Sequence, residues 1–178
     1  MEQQPCQGKK PIRVLMPLGD GQSLPRSVVI GLAMQERDFD LVPITRPINP
    51  FSKRISESEC RNELIRHVDK DSEYTFMIDS DVLLEGFHDF DYMIKFLEQN
   101  LEIDAVAINT KKGCEDESHV VIACTCFRTA KLINHKFERA ETGTREGGCC
   151  CLGVNQNMNI KYLSDKKITE VSNRVCCN

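Results

Sequence analysis

Short apolar runs alternate along this chain with segments whose apolar residues recur at helical spacing. Ile12–Leu18 is the first run and reads as a strand, with Pro17 near its end, where a missing N–H is tolerated. Gly19–Ser23 is a polar turn. Val28, Val29, Leu32 and Ala33 then keep helical spacing in a helix running from Leu24 or Pro25 to Gln35, with Ser23 or a neighbour as its cap. Phe39–Thr45 is a second strand. Strand, glycine-bearing turn, helix and strand make a βαβ opening, which predicts a doubly wound sheet.

The pattern continues with a helix over Glu57–Val68, capped by Ser56, with Glu59 completing a capping box. Tyr74–Val82 reads as a strand and Phe87–Asn100 as a helix carrying Phe90, Met93, Ile94 and Leu97 on one face. Strands over Ile103–Asn109 and Val120–Phe127 flank a charged loop at Lys111–Ser118. A short helix over Thr129–Phe137 and a charged, glycine-bearing loop at Glu138–Gly148 follow. The tail predicts a helix over Cys150–Asn157 and two short strands, Ile160–Leu163 and Ile168–Val171. Met1–Pro11 is polar and is expected to be loose. No repeat or linker divides the chain, so residues 1–178 are expected to form a single domain.

Tyr74–Val82 is the stretch around which the rest is arranged. Its apolar run suits a strand buried on both faces and ends in Asp79-Ser80-Asp81. Open α/β sheets bind ligands at the carboxyl ends of their strands. Residues two apart on an extended strand share a face, so both carboxylates are expected to aim at one point beyond the sheet. Two close carboxylates repel, and a shared divalent cation such as Mg2+ or Mn2+ relieves that repulsion. The competing reading is a strand running into a polar turn whose aspartates cap the next helix.

Composition narrows the function classes. A net charge of −4 and a pI near 5.6 leave no basic footprint for nucleic acid. No apolar run reaches the length of a membrane span and the start does not read as a signal peptide, so a cytoplasmic protein is expected. Ten cysteines include Cys124-Thr-Cys126, Cys149-Cys150-Cys151 and Cys176-Cys177 without a Cys-x-x-Cys repeat. Reduced, buried cysteine is the favoured reading and zinc ligation the alternative. His67, His88, His119 and His135 lack metal-ligand spacing. The turn at 19–23 has neither Gly-x-Gly-x-x-Gly nor a Gly-Lys-Ser/Thr phosphate loop, which argues against the usual dinucleotide and P-loop chemistry.

Arg61-Asn62-Glu63-Leu64-Ile65 on a helix, followed by the strand ending in Asp79-Ser80-Asp81, resembles the small GT-A-fold glycosyltransferases that use nucleotide-sugar donors. They are family 2-like enzymes of the kind found in bacteria, phages and large viruses. The resemblance runs through most of the chain and implies an α/β fold: a Rossmann-like mixed sheet flanked by helices. It implies that Asp81 is the chief ligand of Mn2+ or Mg2+, that Asp79 lies near the ribose or sugar, and that Arg61 lies near the nucleotide. Ile12–Leu18 is similar to the family's first nucleotide-binding strand, and Cys124–Ala130 to the segment where the acceptor side begins. Glu146 stands where the family carries its catalytic base, with Glu141 a weaker candidate. Two features depart from the pattern: Glu170–Asn173 contains no histidine, and the acceptor-binding part is short.

In such a reaction charge builds on the departing diphosphate, and Arg26, Arg46 or Arg61 could contact phosphate through planar guanidinium forks. Against these roles stand a solvated helix position for Arg61 and a surface loop carboxylate for Glu146. Three functions follow: a metal-dependent glycosyltransferase, a nucleotidyltransferase on a similar sheet, or a non-catalytic protein binding a nucleotide or partner. The second expects a lysine soon after the glycine-bearing turn, which this chain lacks.

Overall fold

The computed structural model describes residues 12–18, 23–45, 57–110, 123–139, 152–153 and 158–170. The βαβ opening is present: β1 (Ile12–Leu18), α1 (Arg26–Ala33) and β2 (Phe39–Thr45), with β1 and β2 parallel from Ile12 opposite Phe39 to Leu18 opposite Thr45. There follow α2 (Glu57–Ile65), β3 (Tyr74–Ile78), β4 (Val82–Leu83), α3 (Asp89–Gln99) and β5 (Ala105–Thr110). The chain continues through β6 (Cys124–Arg128), α4 (Thr129–Leu132), β7 (Glu138–Arg139), β8 (Leu152–Gly153) and β9 (Ile160–Glu170). The main sheet has seven strands in the order β2-β1-β3-β6-β5-β9-β4. β2, β1, β3, β5 and β9 run one way, while β6 lies antiparallel between β3 and β5. The sheet is therefore mixed, as the resemblance implies.

Alternation along the strands explains why both faces are covered. Val14 and Met16 on β1, and Phe76 and Ile78 on β3, share a core with Val28 and Leu32 of α1 and Phe90, Met93, Ile94 and Leu97 of α3. Leu15 and Met77 point the other way and pack with Leu64 of α2, Leu132 of α4 and Phe137. Full burial of one such side chain stabilises by about 1.5–3 kcal/mol. Helices α1 and α3 thus cover one face, and α2 and α4 the other.

Several expectations need correction. The strand predicted over Tyr74–Val82 stops at Ile78, because Asp79–Val82 closes a turn in which the Val82 amide donates to the Asp79 carbonyl at 3.1 Å. After the turn, β4 pairs antiparallel with the far end of β9. The helix predicted over Cys150–Asn157 is contradicted at Leu152–Gly153, which instead form β8 and pair with β7. Pairing with both β5 and β4 joins the two predicted tail strands into one long β9. Helix α1 takes Pro25 at its N-cap without any side-chain cap, so Ser23 does not cap it. Residues 1–11, Ser56, and the loops at 46–54, 111–118 and 140–148 lie outside the described residues.

Candidate functional site

The Asp79 amide donates to the Ala123 carbonyl at 2.9 Å, extending the β3–β6 ladder by one residue beyond Ile78. Asp79 therefore keeps the strand alternation, and its side chain falls on the face of Met77, which α2 covers. There Arg61 Nη2 donates to Asp79 Oδ1 at 2.7 Å. The guanidinium is almost wholly buried, at 2% side-chain exposure, and the carboxylate nearly so, at 13%. The solvated alternative for Arg61 is thereby overturned: a charge at this depth has to be paired.

The turn breaks the alternation immediately afterwards. Ser80 and Asp81 are both buried, and Val82 returns to the core under α1 and α3. Two carboxylates on one extended strand was the sequence expectation. The structure instead makes Asp79 the first and Asp81 the third residue of the Asp79–Val82 turn, with Asp79 committed through Oδ1 to Arg61.

The next residue on α2 makes a second long-range attachment. Asn62 Nδ2 donates to the Phe137 carbonyl at 2.9 Å, and the Phe137 amide donates to Asn62 Oδ1 at 2.7 Å. A carboxamide has one acceptor and two donors, so it can satisfy the backbone of one residue as a strand neighbour would. The only sequence signal for this was a residue of low helix propensity beside Arg61.

Arg26 opens α1, exposed, and that helix covers the face opposite α2. Arg46, Glu141 and Glu146 lie outside the described residues. Cys60, Cys124 and Cys126 are free thiols and buried, as small apolar residues would be. Burial pushes the Cys124 and Cys126 thiols well above the ordinary range, away from the thiolate form that binds metal.

Among the described residues no group of three or more His, Cys, Asp or Glu side chains is gathered for a metal ion. That does not conflict with Mg2+ or Mn2+, which often bind through one or two carboxylates together with substrate phosphates. Asp79 and Asp81 are hard oxygen donors of the kind these ions take, so the residues fit such an ion.

No protein-family model and no curated protein matches the chain. Solved structures do. The mannosyltransferase PcManGT from Pyrobaculum calidifontis, in complex with GDP-Man and Mn2+, superposes with a TM-score of 0.64 at 12% identity, over 93% of this chain and 58% of its own. TarS from S. aureus in complex with UDP-GlcNAc gives 0.58 at 16% identity, over 92% of this chain and 59% of its own. A further TarS structure gives 0.56 at 15% identity, over 92% of this chain and 37% of its own. The fold is GT-A-like, that of the nucleotide-sugar glycosyltransferases. This chain spans between 37% and 59% of the length of these three structures. Among the described residues, no helix is long and apolar enough to cross a membrane.

Proposed function

We propose that this protein is a metal-dependent glycosyltransferase that takes a sugar from a nucleotide-diphosphate donor and passes it to an acceptor hydroxyl. The observation that carries the reading is the buried Arg61–Asp79 pair leading into Ser80-Asp81 at the carboxyl end of β3, within a GT-A-like sheet. A buried ion pair is weak as a stabilising device, because desolvation offsets much of its attraction. Its use is to hold a carboxylate in one place.

Asp79, fixed by Arg61, accepts hydrogen bonds from the ribose or sugar. Asp81 is the chief ligand of Mn2+ or Mg2+, with Asp79 as its neighbour. A cation held there would supply positive charge to offset that building on the departing diphosphate. Arg26 and Arg46 supply guanidinium forks for phosphate oxygens. Glu146 removes the proton of the acceptor hydroxyl as general base.

Calorimetric titration with UDP and with GDP, in the presence and absence of Mn2+, tests the donor site. Metal-dependent binding of one nucleotide is expected, weakened at least about tenfold in Asp81→Ala, as for loss of one charge-assisted contact. Absence of binding by either nucleotide in all conditions sinks the proposal while leaving the fold intact.

A further inference from the structure

Strands β7 and β8 form a two-stranded sheet of their own, separate among the described residues from the seven-stranded sheet. Such a pair is marginal in water unless something else holds it. Phe137, the residue immediately before β7, supplies two anchors. Its side chain is buried in the core beneath α2 and α4, with the His135 ring edge-on at 4.7 Å. Its amide and carbonyl are both taken by Asn62 from 75 positions away in sequence.

Asn62 is next to Arg61, the residue that holds Asp79. Adjacent helical residues project about 100° apart. One turn of α2 therefore reaches in two directions, to the end of β3 and to the start of β7. A helix turn is stiff, so the two attachments cannot shift far relative to each other.

We infer that Asn62 is a positioning residue that sets the β7–β8 pair in place relative to the Asp79 carboxylate. It fixes that pair to the helix turn that holds Asp79, as a wall against which an acceptor approaches the donor. This role rests on the proposed transferase reading. Asn62 touches neither substrate; it acts through the Phe137 backbone.

Two variants separate positioning from simple stabilisation. Asn62→Leu removes both bonds at nearly constant volume. Asn62→Asp keeps an acceptor for the Phe137 amide but offers no donor to its carbonyl, and serves if the leucine variant fails to fold. Amide hydrogen exchange is expected to rise about tenfold at 137–139 and 152–153 in Asn62→Leu, and less in Asn62→Asp, without a matching rise in β1 or β3. With Mn2+ present, UDP or GDP affinity should stay within about twofold, because the Arg61–Asp79 pair is untouched. Donor hydrolysis, in which water takes the sugar of UDP-GlcNAc or GDP-mannose and UDP or GDP is released, should show kcat down about tenfold at unchanged donor KM.

Unchanged exchange at 137–139 overturns the inference. So does a uniform rise in exchange with parallel loss of nucleotide affinity, which marks Asn62 as a general stabiliser of α2. If the wild-type protein binds neither nucleotide, the transferase reading fails on that titration, and the clamp is decided by the exchange rates alone.

Discussion

A guanidinium withdrawn from water needs a counter-charge and hydrogen-bond acceptors, since desolvation of a lone charge costs far more than one contact returns. Arg61 finds its counter-charge at Asp79, to which Nη2 donates at 2.7 Å. Replacing Arg61 by Met keeps much of the buried volume but leaves the Asp79 carboxylate without that partner. We expect Arg61→Met to lower unfolding free energy by about 3–5 kcal/mol, measured by urea denaturation. Arg61→Lys should recover only part of this, because an ammonium cannot reproduce the planar fork. A loss below about 1 kcal/mol in Arg61→Met would mean that the pair contributes as little as an exposed one. The sequence displays Arg61 and Asp79, 18 positions apart, but not their contact: no local periodicity encodes a pairing between a helix and the end of a later strand.

At the scale of elements, helix α1 lies close against the segment leaving β4. A Cβ built at Gly31 would stand 2.8 Å from the Leu84 carbonyl oxygen and 3.1 Å from Leu83 Cδ1. In an exposed helix Gly→Ala gains roughly 1 kcal/mol. Here the clash is with backbone, which cannot rotate away, so the sign reverses. Gly31→Ala is expected to destabilise by about 1–3 kcal/mol in the same denaturation assay. Stabilisation instead would show that α1 can move off β4 at little cost. The same contact explains why Gly31 interrupts an otherwise apolar helical stripe. Gln35 completes the joint by donating through Nε2 to the Gly31 and Gly86 carbonyls and accepting from the Phe90 amide. The boundaries of β1, β2 and α3 were legible because period-2 and period-3.6 patterns are local and strong there. The end of β3 was not, since a turn of polar residues after a buried run can as easily extend a strand as close it.

Across the whole molecule, β6 runs antiparallel through the centre of a sheet whose five other long strands run the opposite way. Its Cys124 and Cys126 face the core shared by α1 and α3, fully covered by neighbours on both sides. Their raised thiol pKa values and burial predict that thiol reagents at mildly alkaline pH modify Cys124 and Cys126 only at the rate of global unfolding. Peptide mapping after timed labelling distinguishes them from the other cysteines. Fast labelling of either would mean that β6 opens locally.

What the sequence determined by itself was the order and type of most elements, the α/β class, and the position of the paired aspartates after β3. These rest on side-chain periodicity and turn chemistry, which act over a few residues. Only the tertiary structure decided which face Asp79 takes, that Arg61 is buried against it, and that Asn62 secures Phe137. It also decided that residues 152–153 form a strand rather than a helix and that the tail is one long strand. Those outcomes depend on which distant segment covers each face of the sheet and satisfies each buried polar group. Burial and hydrogen-bond satisfaction are settled by the whole chain at once.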